Sequence, residues 1–136
     1  MKQGIQSTLK TAIIKSDGCY FLCLLRWAEV VSGKEIDERQ IGYLYDRSVE
    51  LEYMRKDCLI LMPHQVINLA LSMYVYSSAN IVSRVPESFD NPFITYLTKP
   101  GFGHFIFNYK NVTWDPLDPN RPSAQGYVPT SYRIIT

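Results

Sequence analysis

The segment from Cys19 to Val31, CYFLCLLRWAEVV, constrains this chain more than any other. Its apolar residues recur at helical spacing and run nearly all round the helix, with Arg26 and Glu29 as its only charges. A helix without a polar face is stable in water only when other elements cover it on most sides. The rest of the chain must supply that cover, and 136 residues are enough for one domain (1–136) around one core. Ser32-Gly33 stops the helix, while Ser16-Asp17-Gly18 ahead of it reads as a turn and N-cap cluster. Cys19 then falls in the helix's first turn.

The covering elements are legible in outline. An amphipathic helix is expected from Asp37 to Val49, with Ile41, Leu44, Tyr45 and Ser48 inward. Another starts at Pro63, since proline suits the first helical position. Beyond it the texture turns to β-type residues: Tyr74, Val75, Tyr76, then Ile81, Val82 and Val85. Strands are expected at 92–98, 104–109 and 112–115, folded into a meander by turns at Pro100-Gly101 and Lys110-Asn111. Tyr132 to Ile135 adds a last short strand. The fold class is α+β, with N-terminal helices packed on a C-terminal antiparallel sheet.

Composition excludes several function classes. Fourteen basic against thirteen acidic residues give no field for a polyanion, and no basic cluster accompanies Tyr43, Tyr45, Tyr53, Tyr74 or Tyr76, so nucleic acid is not expected as partner. Those tyrosines read as core with a polar tip or as an interface rim. Three cysteines without a CxxC pair fit reduced thiols in a cytoplasmic protein. No membrane span or signal peptide is read: Lys10 and polar residues break up the opening MKQGIQSTLKTAIIK, and no apolar run reaches roughly 18 residues. Cys19, Cys23, Cys58, His64 and His104 match no zinc spacing, so neither metal nor cofactor is expected. Gly101-Phe102-Gly103 precedes a strand rather than a helix and reads as a hinge leading to His104.

The chemistry-bearing residues form one pattern. Unpaired N–H groups at a helix start favour a thiolate, which singles out Cys19, whereas Cys23, one turn on, faces the core and Cys58 reads as packing. A nucleophilic thiolate needs an imidazole as ion-pair partner and general acid, and the imidazole needs a third group to orient it. In a hairpin turning at Lys110-Asn111, the start of HFIFNY lies beside the end of VTWD. His104 and Asp115 are then cross-strand neighbours. Arg121, Arg133, Lys99 and Lys110 are read as scattered around this site.

Asp17-Gly18-Cys19-Tyr20, with GHFIFNYKNVTWDP later, resembles the papain-like cysteine peptidase superfamily over about residues 16–116. The texture is similar to the compact bacterial branch that trims double-glycine leader peptides. It also resembles a family of uncharacterised proteins from spirochaete and prophage-like elements. The resemblance implies a minimal papain-like fold and a hydrolase acting on an amide bond of a peptide or protein, with Cys19 as nucleophile, His104 as base and general acid, and Asp115 as orienting carboxylate. Such peptidases carry an oxyanion-donating glutamine about six residues ahead of the cysteine, where this chain has Ile13. Gln6 reaches that role only if the intervening segment loops out. Loss of one oxyanion donor costs roughly 2.7–4 kcal/mol of transition-state stabilisation, and Asp17 opposes thiolate formation beside it. These two departures favour an alternative: a catalytically silent peptidase-fold protein that binds another protein, as a mobile-element accessory or inhibitor.

Overall fold

The computed structural model describes residues 1–73, 81–85 and 92–136. The apolar segment forms helix α3 (Cys19–Ser32), in which Phe21, Leu22, Cys23, Leu24, Leu25 and Ala28 are fully buried. Gly33 ends it at φ 69°, a left-handed conformation that glycine adopts without the Cβ penalty. Glu29, also buried, accepts from the Met1 ammonium at 2.6 Å, the Ile36 N–H at 2.7 Å and Arg26 at 3.1 Å. Neither oxygen of that carboxylate is left to face the core alone.

Two longer helices supply cover. Helix α4 (Glu38–Glu50) starts in a capping box between Asp37 and Gln40, and it buries Ile41, Leu44 and Ser48. Helix α5 (Pro63–Ser72) has its proline in the first turn and buries Val66, Ile67, Ala70 and Leu71; it packs on both α3 and α4. Two short helices, α1 (Ile5–Thr8) and α2 (Ala12–Asp17), lie ahead of α3 in a stretch where the sequence pattern assigns no helix.

The sheet comprises β1 (Val82–Val85), β2 (Phe93–Lys99), β3 (Phe102–Tyr109), β4 (Val112–Trp114) and β5 (Val128–Ile135), antiparallel throughout. The spatial order is β1-β5-β2-β3-β4, so the expected β2-β3-β4 meander is present. Lys110 and Asn111 both have positive φ, 50° and 62°, as a two-residue hairpin turn of the right twist requires. Strand β5 differs in place from a terminal addition: it inserts between β1 and β2, a long-range pairing invisible in local pattern. Ile94, Phe107, Trp114 and Ile135 carry the sheet's share of the core beneath α3.

Two expectations are corrected. Ser16 and Asp17 end α2 rather than capping α3; Gly18 alone joins the two helices, and no side chain caps α3. Phe102 and Gly103 are no hinge: they pair with Lys99 and Thr98 as the first residues of β3. Gly103 is small because the Tyr96 ring lies over it, and a Cβ there would come within 2.4 Å of the Tyr96 hydroxyl. The β-type residues Tyr74, Val75 and Tyr76 fall outside the described residues. Among the described residues no helix is long and apolar enough to cross a membrane.

The Gly18 joint is tight because a Cβ there would lie 2.5 Å from the Ile14 carbonyl oxygen, which is backbone and cannot swing away. Gly18→Ala is expected to cost about 1–3 kcal/mol, the range for overpacking. Gly42, inside α4 with nothing within 4 Å of where a methyl group would sit, is the contrast: Gly42→Ala should stabilise by about 0.5–1 kcal/mol. Urea unfolding of the two variants checks both signs.

Candidate active site

Cys19 is the first residue of α3, so its N–H belongs to the helix turn that has no intrahelical acceptor. It is partly exposed, whereas Cys23 and Cys58 are buried. Burial, reinforced by the nearby Cys19 and Asp115, pushes the Cys23 thiol far up. Burial and then the Asp17 and Asp57 carboxylates push Cys58 to about 12. Both behave as apolar packing groups at neutral pH.

His104 and Asp115 meet as strand register requires. Phe107 pairs with Trp114, which sets Ile106 opposite Asp115 and His104 diagonal to it. Nε2 of His104 lies 2.7 Å from Oδ1 of Asp115, and both residues are buried, at 3% and 7% exposure. An ionised carboxylate only accepts, so Nε2 carries the proton. The other ring nitrogen is left for Cys19, which lies near enough to the imidazole to raise its pKa. The three residues come together around one ring.

Charge follows from this contact. Burial alone would lower the His104 pKa, but the hydrogen bond to Asp115, the charge of that carboxylate and the nearby Cys19 outweigh it and hold the ring at about 9. Asp115 shows the converse: burial pushes it up, and its bond to His104, the Leu117 N–H and the Arg121 charge bring it below the usual range.

The sequence pattern missed what holds Asp115. Its Oδ2 accepts from Arg121 at 3.2 Å, and its Oδ1 from the Leu117 N–H at 2.9 Å. The N-terminal segment straps its backbone: Gly4 N–H donates to the Asp115 carbonyl at 3.0 Å, Gln6 N–H to that of Pro116 at 2.8 Å, and the Asp115 N–H donates to Gln3 Oε1 at 3.3 Å. In sequence, Asp115-Pro-Leu-Asp-Pro-Asn-Arg121 shows only a turn; the spacing that lets Arg121 fold back onto Asp115 is the one available signal.

Gln6 is buried, and the chain does fold back between it and Cys19: its Nε2 donates to the Lys15 carbonyl at 3.1 Å, and its Oε1 has no hydrogen-bond partner among the described residues. Among the basic residues read as surrounding the site, Lys110 is misplaced, since it sits in the β3–β4 turn at the end of β3 away from His104. Lys99 donates to the carbonyls of Ser123 and Gln125 and lies 4.5 Å from the centre of the Tyr127 ring, which in turn is 6.0 Å from that of His104. His64 starts α5, and among the described residues no three His, Cys, Asp or Glu side chains gather as a metal set.

An aromatic wall adjoins the ring. Tyr20, next to Cys19, stacks on Phe105, next to His104, at 4.2 Å, and Phe105 stacks on Tyr96 at 4.6 Å. The residues that follow Cys19 and His104 in sequence therefore lock helix to sheet.

A histidine whose folded-state pKa is raised contributes stability in full below its ordinary value of 6.5, and that contribution is lost as pH rises through about 9. An NMR titration of the His104 ring should show its midpoint near 9 in the native protein and clearly lower in Asp115→Asn. The same substitution should flatten the decline in thermal stability across this interval. An unmoved midpoint would remove Asp115 from the arrangement.

Neither a curated protein nor a solved structure matches this chain. One family model spans residues 1–136, and by that match the chain belongs to the family described as "Protein of unknown function, DUF261".

Proposed function

We propose that this protein is a small cysteine hydrolase of papain-like fold that cleaves an amide bond in a peptide or protein. The observation that carries this reading is the single imidazole shared between Cys19 and Asp115. A helix bearing the thiol packs against an antiparallel sheet bearing the other two groups, which is the layer order the papain-like reading needs. In the first half-reaction the Cys19 thiolate attacks the carbonyl carbon, and the His104 imidazolium gives its proton to the leaving amine as the C–N bond breaks. A thioester remains. His104, now neutral, takes a proton from water as the oxygen attacks; the C–S bond breaks, the acid leaves and the thiolate returns. The Cys19 backbone N–H serves as one oxyanion donor and Gln6 as a candidate second.

The silent, protein-binding alternative has its own support. The Gln6 amide is already engaged by Lys15, and Asp17 ends α2 just ahead of the thiol. Thiol labelling separates the two. With iodoacetamide near neutral pH, Cys19 should react at least about tenfold faster than Cys23 or Cys58, and His104→Ala should slow it by about tenfold or more. Equal, slow labelling of all three cysteines would sink the hydrolase and leave the binding protein.

A further inference from the structure

Two arginines are cross-strand neighbours beside the aromatic wall. The β1–β5 register pairs Arg84 directly with Arg133, so their side chains leave the same face of the sheet about 5 Å apart at Cβ. Like charges so placed repel, and among the described residues no carboxylate forms an ion pair with either. Arg133 is half-buried, its guanidinium 5.5 Å from the centre of the Phe105 ring and 5.8 Å from that of Tyr96. It donates to Ser131 Oγ at 2.9 Å and to the Tyr132 carbonyl at 3.5 Å, and its charge acts on the nearby Tyr20 hydroxyl. These contacts fix the guanidinium without neutralising it. A cleft of about 290 Å³ opens beside it, lined by Arg84, Val85, Thr130 and Ser131.

The position matters as much as the charge. Tyr20 follows Cys19 in α3 and touches Phe105 and Arg133, so one layer of side chains separates the cation pair from the thiol. Two forked guanidinium groups with the Ser131 hydroxyl offer N–H and O–H donors to a planar anion, while the Thr130 hydroxyl is engaged with Val128 and Thr98. A bound anion would also relieve the repulsion between the two.

We propose that Arg84 and Arg133, with Ser131, form a subsite for a carboxylate carried by the peptide that Cys19 attacks. The assignment rests on the hydrolase reading for the word substrate, and on the arginine pair alone for the site. The carboxylate is that of an acidic side chain or of a peptide C-terminus, which share this chemistry.

The test uses three small probes: N-acetylglutamate methylamide for the side-chain carboxylate, N-acetylalanine for the terminal one, and neutral N-acetylglutamine methylamide. In the Cys19→Ala protein, the guanidinium Nε–H resonances of Arg84 and Arg133 should shift saturably with one or both carboxylates and not with the amide. The stronger of the two identifies the source. In the native protein the same carboxylate should slow iodoacetamide labelling of Cys19. Arg84→Gln, on an exposed strand position, should weaken both effects about tenfold, equal to about 1.4 kcal/mol; Arg133→Lys, which keeps the charge but loses the fork, should weaken them as well. Absence of saturable shifts with either carboxylate overturns the site, whatever Cys19 does. Shifts without any protection of a reactive Cys19 overturn its role as a substrate subsite. Because the first readout lacks the thiol, failure of the site and failure of the hydrolase reading give different results.

Discussion

The ion pair between the Met1 ammonium and Glu29 ties the N-terminal segment to the buried central helix. Glu29 lies in a helix that is buried on almost every side, where an isolated carboxylate would be strongly unfavourable. Three donors offset that cost: the ammonium at 2.6 Å, the Ile36 N–H and Arg26. The same Met1 gives its carbonyl to the Trp114 indole at 3.1 Å, and the next few residues run along the end of β4. The strap that holds Asp115 is thus anchored at the far end of α3 by a charge pair. Position of the Asp115 carboxylate and stability of the central helix are one problem.

At the other end of α3 the balance of forces runs through His104. A buried imidazole left to desolvation would be neutral at physiological pH. Here the ring sits between two groups that favour its charged form, and the Asp115 oxygens are themselves saturated by Arg121 and the Leu117 N–H. The consequence is geometric as well as electrostatic. A carboxylate held by three partners cannot rotate away, and a ring held by that carboxylate presents a fixed nitrogen to the thiol.

Features set by neighbours in sequence were readable; those set by distant pairing were not. Helix α3 announced itself by its apolar run, α4 by its amphipathic spacing from Asp37 and α5 by Pro63, and each begins within about a residue of its signal. The closeness of His104 and Asp115 followed from a two-residue turn, because register propagates from Lys110-Asn111 without further information. The insertion of β5 between β1 and β2 depends on pairing across the length of the chain, and the folding back of Arg121 depends on where a proline-rich turn ends. Gly103 misled for a related reason. A glycine between turn and strand reads as freedom, yet its missing side chain is the space that Tyr96 occupies.

That last point extends to the whole site. In so short a chain the residues beside the thiol and the imidazole, Tyr20 and Phe105, are also those that join helix to sheet. Arg133 lies over this joint, and its partner across the strands, Arg84, is exposed. Among the described residues no carboxylate relieves the repulsion between the pair, and a cleft lies beside Arg84. A purely structural role for Arg133 accounts for its contacts with the rings and with Ser131, but gives no reason for a second guanidinium opposite it. Recognition of an anion supplies that reason, since each arginine then contributes donors that the other cannot reach.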